Sequence, residues 1–290
     1  MFSEKPTKVI RFSGGLGNQM FHYALYKALE KKFPGNRVLA DVSLYTSNTI
    51  HNGFELERIF GVHLRHATEN DVLAARNVGT TLTGRAVRKL LGSKQTFLHD
   101  VPTGPFQPEA LQTSGNRYYI GAWQSDQYFS KIADLIKSDF FFQIPLDNHN
   151  SRLAQELDET ASVGVHIRRG DYINNPDFLH VCGDDYYLQA ISLMAEKLDN
   201  PRFYIFSNDI DWCKANLKGL DTVFVDWNTG ADSYRDLQLM SLCKHNIIAN
   251  STFSWWSAWL NNNDHKLVIA PARWFSDKDL NVALDSWIKI

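Results

Sequence analysis

The chain is predicted to be α/β, built on parallel sheets that are covered by helices on both faces. Two observations carry this. The run Lys8–Ser13 leads through Gly14-Gly15-Leu16-Gly17 into Asn18–Phe33, where Phe21, Ala24, Leu25, Ala28 and Leu29 recur at helical spacing. That is a strand, a glycine turn and a helix, the first half of a βαβ unit. Beyond residue 160, short apolar runs alternate with amphipathic stretches of about 10–14 residues, the pattern of parallel strands joined by helical crossovers.

The elements follow in order. Pro34-Gly35 stops the first helix, and Arg37–Asp41 is the next strand. Between 43 and 150 the pattern weakens: Ala86–Leu91 is predicted helical, Tyr118–Trp123 extended and Tyr128–Ile136 helical. The polar, turn-rich Gln143–Asn150 suggests a domain boundary near 150. The second half is clearer. Val163–Ile167, Arg202–Ser207, Thr222–Val225, Asn246–Ala249 and Lys266–Ala270 read as strands. Between them, Asp185–Leu198, Asp209–Leu217, Asp232–Cys243 and Phe253–Leu260 read as helices.

Composition narrows the function. The 290 residues are 44% hydrophobic and 21% charged, enough to bury a large core in one or two domains. A net charge of −2 provides no general basic field for nucleic acid or anionic lipid. Cys182, Cys213 and Cys243 are odd in number and match no zinc spacing, which suits reduced thiols in a cytosolic protein. The start, MFSEKPTKVIRF, lacks the apolar run of a signal peptide, and no window reaches the roughly 18 apolar residues of a membrane span.

Five segments could carry chemistry. His166-Ile-Arg-Arg-Gly-Asp171 closes a strand, where ligands dock in parallel sheets. Strand alternation puts His166 and Arg168 on one side and Arg169 on the other. Guanidinium pairs bidentately with phosphate oxygens, so the segment reads either as a diphosphate grip or as a surface ion-pair cluster. Gly14-Gly15-Leu-Gly-Asn18-Gln19 offers backbone N–H groups to an anion, with Asn18 or Gln19 available to sugar hydroxyls; alternatively it is only a tight turn. Asn250-Ser251-Thr252-Phe-Ser254 opens a helix, where its hydroxyls either cap the helix or donate to phosphate. Asp236 sits early in a helix, favoured there by the dipole or positioned to pair with guanine. Asp209-Ile-Asp211 follows a strand and either holds a divalent ion or caps the next helix.

Taken together, GGLGNQMF at 14–21, HIRRGDY at 166–172, FSND at 206–209 and NSTFSWWSAWL at 250–260 resemble the bacterial α-1,2-fucosyltransferases, glycosyltransferase family 11. The arginine box alone is shared more widely, with α-1,6- and protein O-fucosyltransferases. The resemblance implies a GT-B-like fold, two Rossmann-like domains with parallel sheets facing across a cleft. Residues 1–150 then form the acceptor side and 151–290 bind GDP-fucose, with the termini free to cross over. It implies inverting transfer of L-fucose from GDP-β-L-fucose to O2 of a galactose, in O-antigen or other surface-glycan synthesis, with no metal. Arg168 falls at the β-phosphate contact, His166 at a nucleotide contact, Asp236 at guanine, and Ser251 and Thr252 in the phosphate turn. Gly15, Asn18, Gln19 and Arg169 complete the expected donor contacts.

A base should assist the attacking hydroxyl, and Asp171, Asp177 and His180 lie near the arginine box. The α-1,6 enzymes use a glutamate ten positions past the box histidine; here that position is Pro176. The expected partners are GDP-fucose and a galactose-terminated or lipid-linked glycan, met in the cytoplasm, with at most peripheral contact at the inner membrane. Acceptor specificity is expected within residues 40–125. Two other readings compete. One is a metal-dependent GT-A-type transferase using Asp209 and Asp211; the other is a non-catalytic nucleotide-sugar or glycan-binding protein.

Overall fold

The computed structural model describes residues 5–47, 51–76, 97–99, 106–172, 175–217, 220–277 and 281–290. The expected helix Ala86–Leu91 lies outside them.

The chain divides between Gln143 and Ile144 into two compact units. The first holds β1 (Thr7–Arg11), β2 (Arg37–Asp41), β3 (Phe97–His99) and β4 (Arg117–Ile120), in the spatial order β2-β1-β4-β3 with every pair parallel. The helix Leu16–Lys32 connects β1 to β2 and buries Met20, Phe21, Ala24, Leu25, Ala28 and Leu29, the predicted stripe. Part of the segment predicted helical at 128–136 is instead two short 3-10 turns, followed by the helix Ala133–Asp139.

The second unit holds β5 (Ser162–Ile167), β6 (Arg202–Ser207), β7 (Thr222–Val225), β8 (His245–Ile247), β9 (Val268–Ala270) and β10 (Ile288–Lys289). Their order is β10-β9-β8-β5-β6-β7, again all parallel. Side chains alternate along β5. Val163, Val165 and Ile167 pack against Tyr187, Ala190, Ile191 and Met194 of the helix Asp184–Lys197. On the opposite face, Tyr204 and Phe206 of β6 pack with Leu153, Leu157, Leu239 and Met240. The sheet is thus covered on both sides, as a buried parallel sheet requires. Each unit is a doubly wound α/β layer, and the fold class is GT-B-like α/β.

One helix escapes the sequence pattern. Asn148–Glu159 begins inside the stretch read as a turn-rich boundary, and only Asn150, Leu153 and Leu157 are buried along it. Asp147 starts it by accepting the His149 and Asn150 N–H groups, each at 2.9 Å. It packs on the helix Tyr234–Leu242, so the units part at 143 rather than near 150.

Among the described residues no helix is long and apolar enough to cross a membrane. All three cysteines are free. Cys243 packs under β5: a Cβ placed on Gly164 would meet its Sγ at 2.9 Å. Gly164→Ala should therefore cost about 1–3 kcal/mol of unfolding free energy through overpacking. Adding Cys243→Ala should recover most of that loss, as read from urea unfolding curves. Equal loss in the single and double mutants would show that the strain lies elsewhere.

Candidate active site

Chain connections place the site. From β5 the chain moves outward through β6 to β7, then returns to lay β8 on the other side of β5. β5 and β8 pair directly, Val163 with His245 and Val165 with Ile247. Their following turns therefore leave in opposite directions and open a crevice at the strands' carboxyl ends, the usual ligand position in such sheets. One turn is Arg168-Arg169-Gly170; the other is Asn250-Ser251 at the start of the helix Thr252–Leu260. Two motifs about 80 residues apart are thereby brought together. The Tyr172 hydroxyl donates to the Asn250 carbonyl at 3.5 Å, and the His166 and Phe253 rings lie 5.8 Å apart.

The arginine turn is held by its backbone. The Arg168 N–H donates to the Tyr187 hydroxyl (3.1 Å), and the Arg169 N–H to Asn208 Oδ1 (3.0 Å). Gly170 leaves room for the Asn208 amide, which any Cβ there would strike. A cavity of about 470 Å³ opens beside the turn, walled by Arg168, Tyr172, Phe178, His180, Asp184 and Asn250 among others.

The two arginines have different surroundings. The Arg169 guanidinium pairs with Asp184 (2.6 Å) and Asp209 (3.3 Å), and it stacks 3.9 Å over the Trp212 ring. Two carboxylates thus meet the Arg169 charge, while its side chain also lines the cavity. The same geometry engages Asp209 of the Asp-x-Asp segment. Asp209 Oδ2 holds Arg169, while its Oδ1 caps the helix Ile210–Asn216 by accepting the Trp212 N–H at 3.3 Å.

β5 ends at Ile167, so the alternation does not extend to Arg168, and His166 points into the buried interior. Burial and the nearby Arg168 charge hold the His166 pKa down to about 3, so the ring is neutral at ordinary pH. Its Nδ1 has no hydrogen-bond partner among the described residues.

Ser251 occupies the N-cap position, yet its side chain makes no capping bond, contrary to the capping reading. Ser254 turns its hydroxyl back to the Ser251 carbonyl at 3.3 Å. The helix therefore presents its positive end without a side-chain cap, which suits an anion. Trp255 and Trp256 are fully buried and belong to the core.

Asp236 lies in the first turn of the helix Tyr234–Leu242 and accepts from Asn228 Nδ2 at 2.9 Å. Asn228 is tied to Asn150, and Asn150 Oδ1 accepts from Trp227 Nε1. Sequence reasoning missed these two asparagines, since only the fold joins residues 78 apart. Desolvation raises the Asp236 carboxyl to about 7, only partly opposed by the Asn228 bond.

Of the three proposed bases, His180 lines the cavity and holds a left-handed backbone (φ 63°), a strained state for a non-glycine residue. Asp177 is exposed; its main chain is used, the carbonyl accepting from the Ser276 N–H at 2.8 Å. The side chain of Asp171 lies outside what the structure describes.

In the first unit, Gln19 corrects an expectation. It is fully buried; its amide donates to the Gly14 and Gly53 carbonyls (3.2 and 2.8 Å) and accepts the Glu55 N–H (2.9 Å). Those bonds use it to lock the loop, so it is not available to a sugar hydroxyl. Asn18 is half-buried and accepts from Gln124 Nε2 at 3.0 Å. Gly15 is the N-cap of Leu16–Lys32, and Gly14 takes the positive φ of 75° that the turn needs.

The raised Asp236 pKa has a stability consequence. Between its usual carboxylate value and about 7, the folded chain keeps a proton that the unfolded chain has lost. Stability must therefore fall as pH rises through that window. Asp236→Asn keeps the acceptor for Asn228 and removes the titration. In thermal melts the mutant should match wild type near about pH 4 and melt higher at about pH 8. Parallel curves at both pH values would contradict the raised pKa.

Comparison with known proteins accords with this geometry. The profile of "Glycosyl transferase family 11" matches residues 100–290. An α-1,2-colitosyltransferase of Escherichia coli is 32% identical, over 97% of this chain and 98% of its own length. The O-antigen biosynthesis glycosyltransferase WbnK of Escherichia coli is 30% identical, over 96% and 98%. A solved structure of Arabidopsis thaliana FUT1 in complex with GDP superposes with a TM-score of 0.50 at 13% identity, covering 91% of this chain and 70% of that one, a likeness of fold. By a family match over most of its length and a relative of nearly equal extent, the chain belongs to glycosyl transferase family 11.

Proposed function

We propose that this protein transfers L-fucose from GDP-β-L-fucose to O2 of a galactose residue, giving an α-1,2 linkage in an O-antigen or other surface glycan. One observation carries the reading: Arg168 and the turn Asn250–Ser251 meet at the β5/β8 switch point, around one cavity. The relatives support the coarser part, since one is a colitosyltransferase and the other serves O-antigen biosynthesis. The motif resemblance supports fucose.

In this reading the second unit binds the donor and the first serves the acceptor. Arg168 faces the diphosphate, assisted by backbone N–H groups at the helix start Thr252. Neutral His166 contacts the nucleotide, and Asp236, in its deprotonated form, accepts from guanine N1–H and its amino group. The acceptor oxygen attacks C1 while the bond from C1 to the β-phosphate oxygen breaks, and GDP leaves with that electron pair. Arg168 and the helix end are fixed before reaction, so they stabilise the charge as it develops without reorganising. No divalent ion is needed for that step. The acceptor proton passes to a base, with Asp171, Asp177 and His180 as the groups to test. The acceptor, lipid-linked or free, is reached from the water side.

Purified protein with GDP-fucose and a panel of galactosides should release GDP in the presence of EDTA. Loss of activity in EDTA would point to metal-dependent chemistry, and GDP binding without turnover on any acceptor to a silent binder. Arg168→Ala should lower kcat by about 10²–10³-fold, the cost of losing one donor to a developing oxyanion, while the melting curve stays intact. A near-normal rate would remove Arg168 from the phosphate. A second donor is favoured by the colitosyltransferase relative: GDP-colitose, the 3-deoxy counterpart of the fucosyl donor. Competition between the two donors decides between them.

A further inference from the structure

We propose that Tyr172 and Phe178 form the wall that receives the C6 methyl of the transferred 6-deoxyhexose, and that this wall selects against donors with a hydroxyl at C6. The inference rests on the reading of Arg168 as the diphosphate grip.

The cavity beside Arg168 is divided in character. Arg168, Asn250, Asp184 and Asp185 supply polar and charged lining, while Tyr172, Phe178 and Leu179 supply an apolar side. The Tyr172 and Phe178 rings are stacked face to face, with centroids 4.4 Å apart and planes at 20°, so they act as one apolar block that meets the cavity with its ring edges. The guanidinium carbon of Arg168 lies 5.2 Å from the centre of the Tyr172 ring. A sugar whose phosphate is held by Arg168 therefore has these ring edges close by in the same cavity.

The ring pair is fixed in place. The Tyr172 hydroxyl is anchored on the Asn250 carbonyl, and Phe178 leans on Phe275 at 5.7 Å. Ser276 binds the chain on both sides of Phe178, its N–H donating to the Asp177 carbonyl (2.8 Å) and its hydroxyl to the Leu179 carbonyl (2.6 Å). Such preorganisation lowers the cost of ordering the wall when the sugar arrives.

A 6-deoxyhexose offers a matching shape. Its exocyclic carbon is a methyl, next to ring carbons that carry oxygens. Methyl against aromatic ring is favourable, whereas a hydroxymethyl there must lose water against ring carbons. An apolar pocket discriminates a single added hydroxyl by at most about 10²-fold, which sets the size of the effect.

The test uses GDP-L-fucose and GDP-L-galactose, which differ only by the C6 hydroxyl, with one galactoside acceptor. The wild-type kcat/KM should favour fucose by about 10–10²-fold. Phe178→Ala should cut that preference to a few-fold and leave product inhibition by GDP unchanged. A wild-type ratio near one, or a Phe178→Ala ratio within twofold of wild type, overturns the proposal. Should that variant fail to fold, saturation-transfer NMR on wild-type protein with GDP-L-fucose decides. The methyl protons should be the most strongly saturated of the sugar; a methyl no stronger than the ring protons overturns the wall. Arg168→Ala separates the two claims. Near-normal transfer in it brings down the donor reading and the wall together. An inactive Arg168→Ala beside an unchanged preference in Phe178→Ala brings down the wall alone.

Discussion

The site depends on the parallel pairing of β5 with β8 at the point where strand order reverses. Parallel neighbours point their carboxyl ends the same way, so both following turns emerge at one edge of the sheet. Because the connections then diverge, neither turn fills the space above the pair. The arginine turn and the turn at Ser251 owe their proximity to this register alone. Inward packing fixes the register: Val163, Val165, Ile167 and Ile247 lie in one apolar cluster. A one-residue slip would turn His166 toward that cluster and Val165 away from it.

Adjacent arginines repel, and the protein resolves this by treating them unequally. Arg169 is paired with Asp184 and Asp209 and pressed on Trp212, which ties the arginine turn to the helix Asp184–Lys197 and to the turn after β6. Asp185 also borders the cavity, so in the proposed reading the diphosphate is drawn toward the Arg168 side. The arrangement orients an anion as well as attracting it. It also gives both Asp209 oxygens a structural task, one holding Arg169 and the other capping the following helix.

Much of the second unit was legible in the sequence, because a sheet covered on both faces needs near-continuous apolar strands. Arg202–Ser207 and Thr222–Val225 are strands at the predicted bounds. The helix Asn148–Glu159 was not legible, since two leucines and one asparagine are all it buries. Candidate residues within one turn, such as Arg168 and Ser251, could be singled out from local pattern. Their supports could not: Tyr187, Asn208, Asn228 and Asn150 act on residues distant in sequence, and no periodicity encodes such contacts. Gln19 misled for a related reason. A polar residue in a glycine turn looks available until the fold shows three backbone groups that need its amide.

The first unit also brings two turns together after paired parallel strands, and ends with different chemistry. β1 pairs with β4, and the turn after β1, Gly14–Gln19, meets the turn after β4, Gly121–Gln124. There the polar atoms largely satisfy one another. His22, held neutral with its pKa near 4 by burial, donates from Nε2 to the Gly121 carbonyl, Gln19 closes its own loop, and Gln124 donates to Asn18. No arginine pair follows β1 or β4. The two turn clusters thus differ in charge. The one after β5 carries a guanidinium and an uncapped helix end, and the one after β1 carries neutral amides. Neutral amides suit sugar hydroxyls and give a departing diphosphate little stabilisation. That contrast is the physical ground for the proposal that the second unit takes the donor and the first the acceptor.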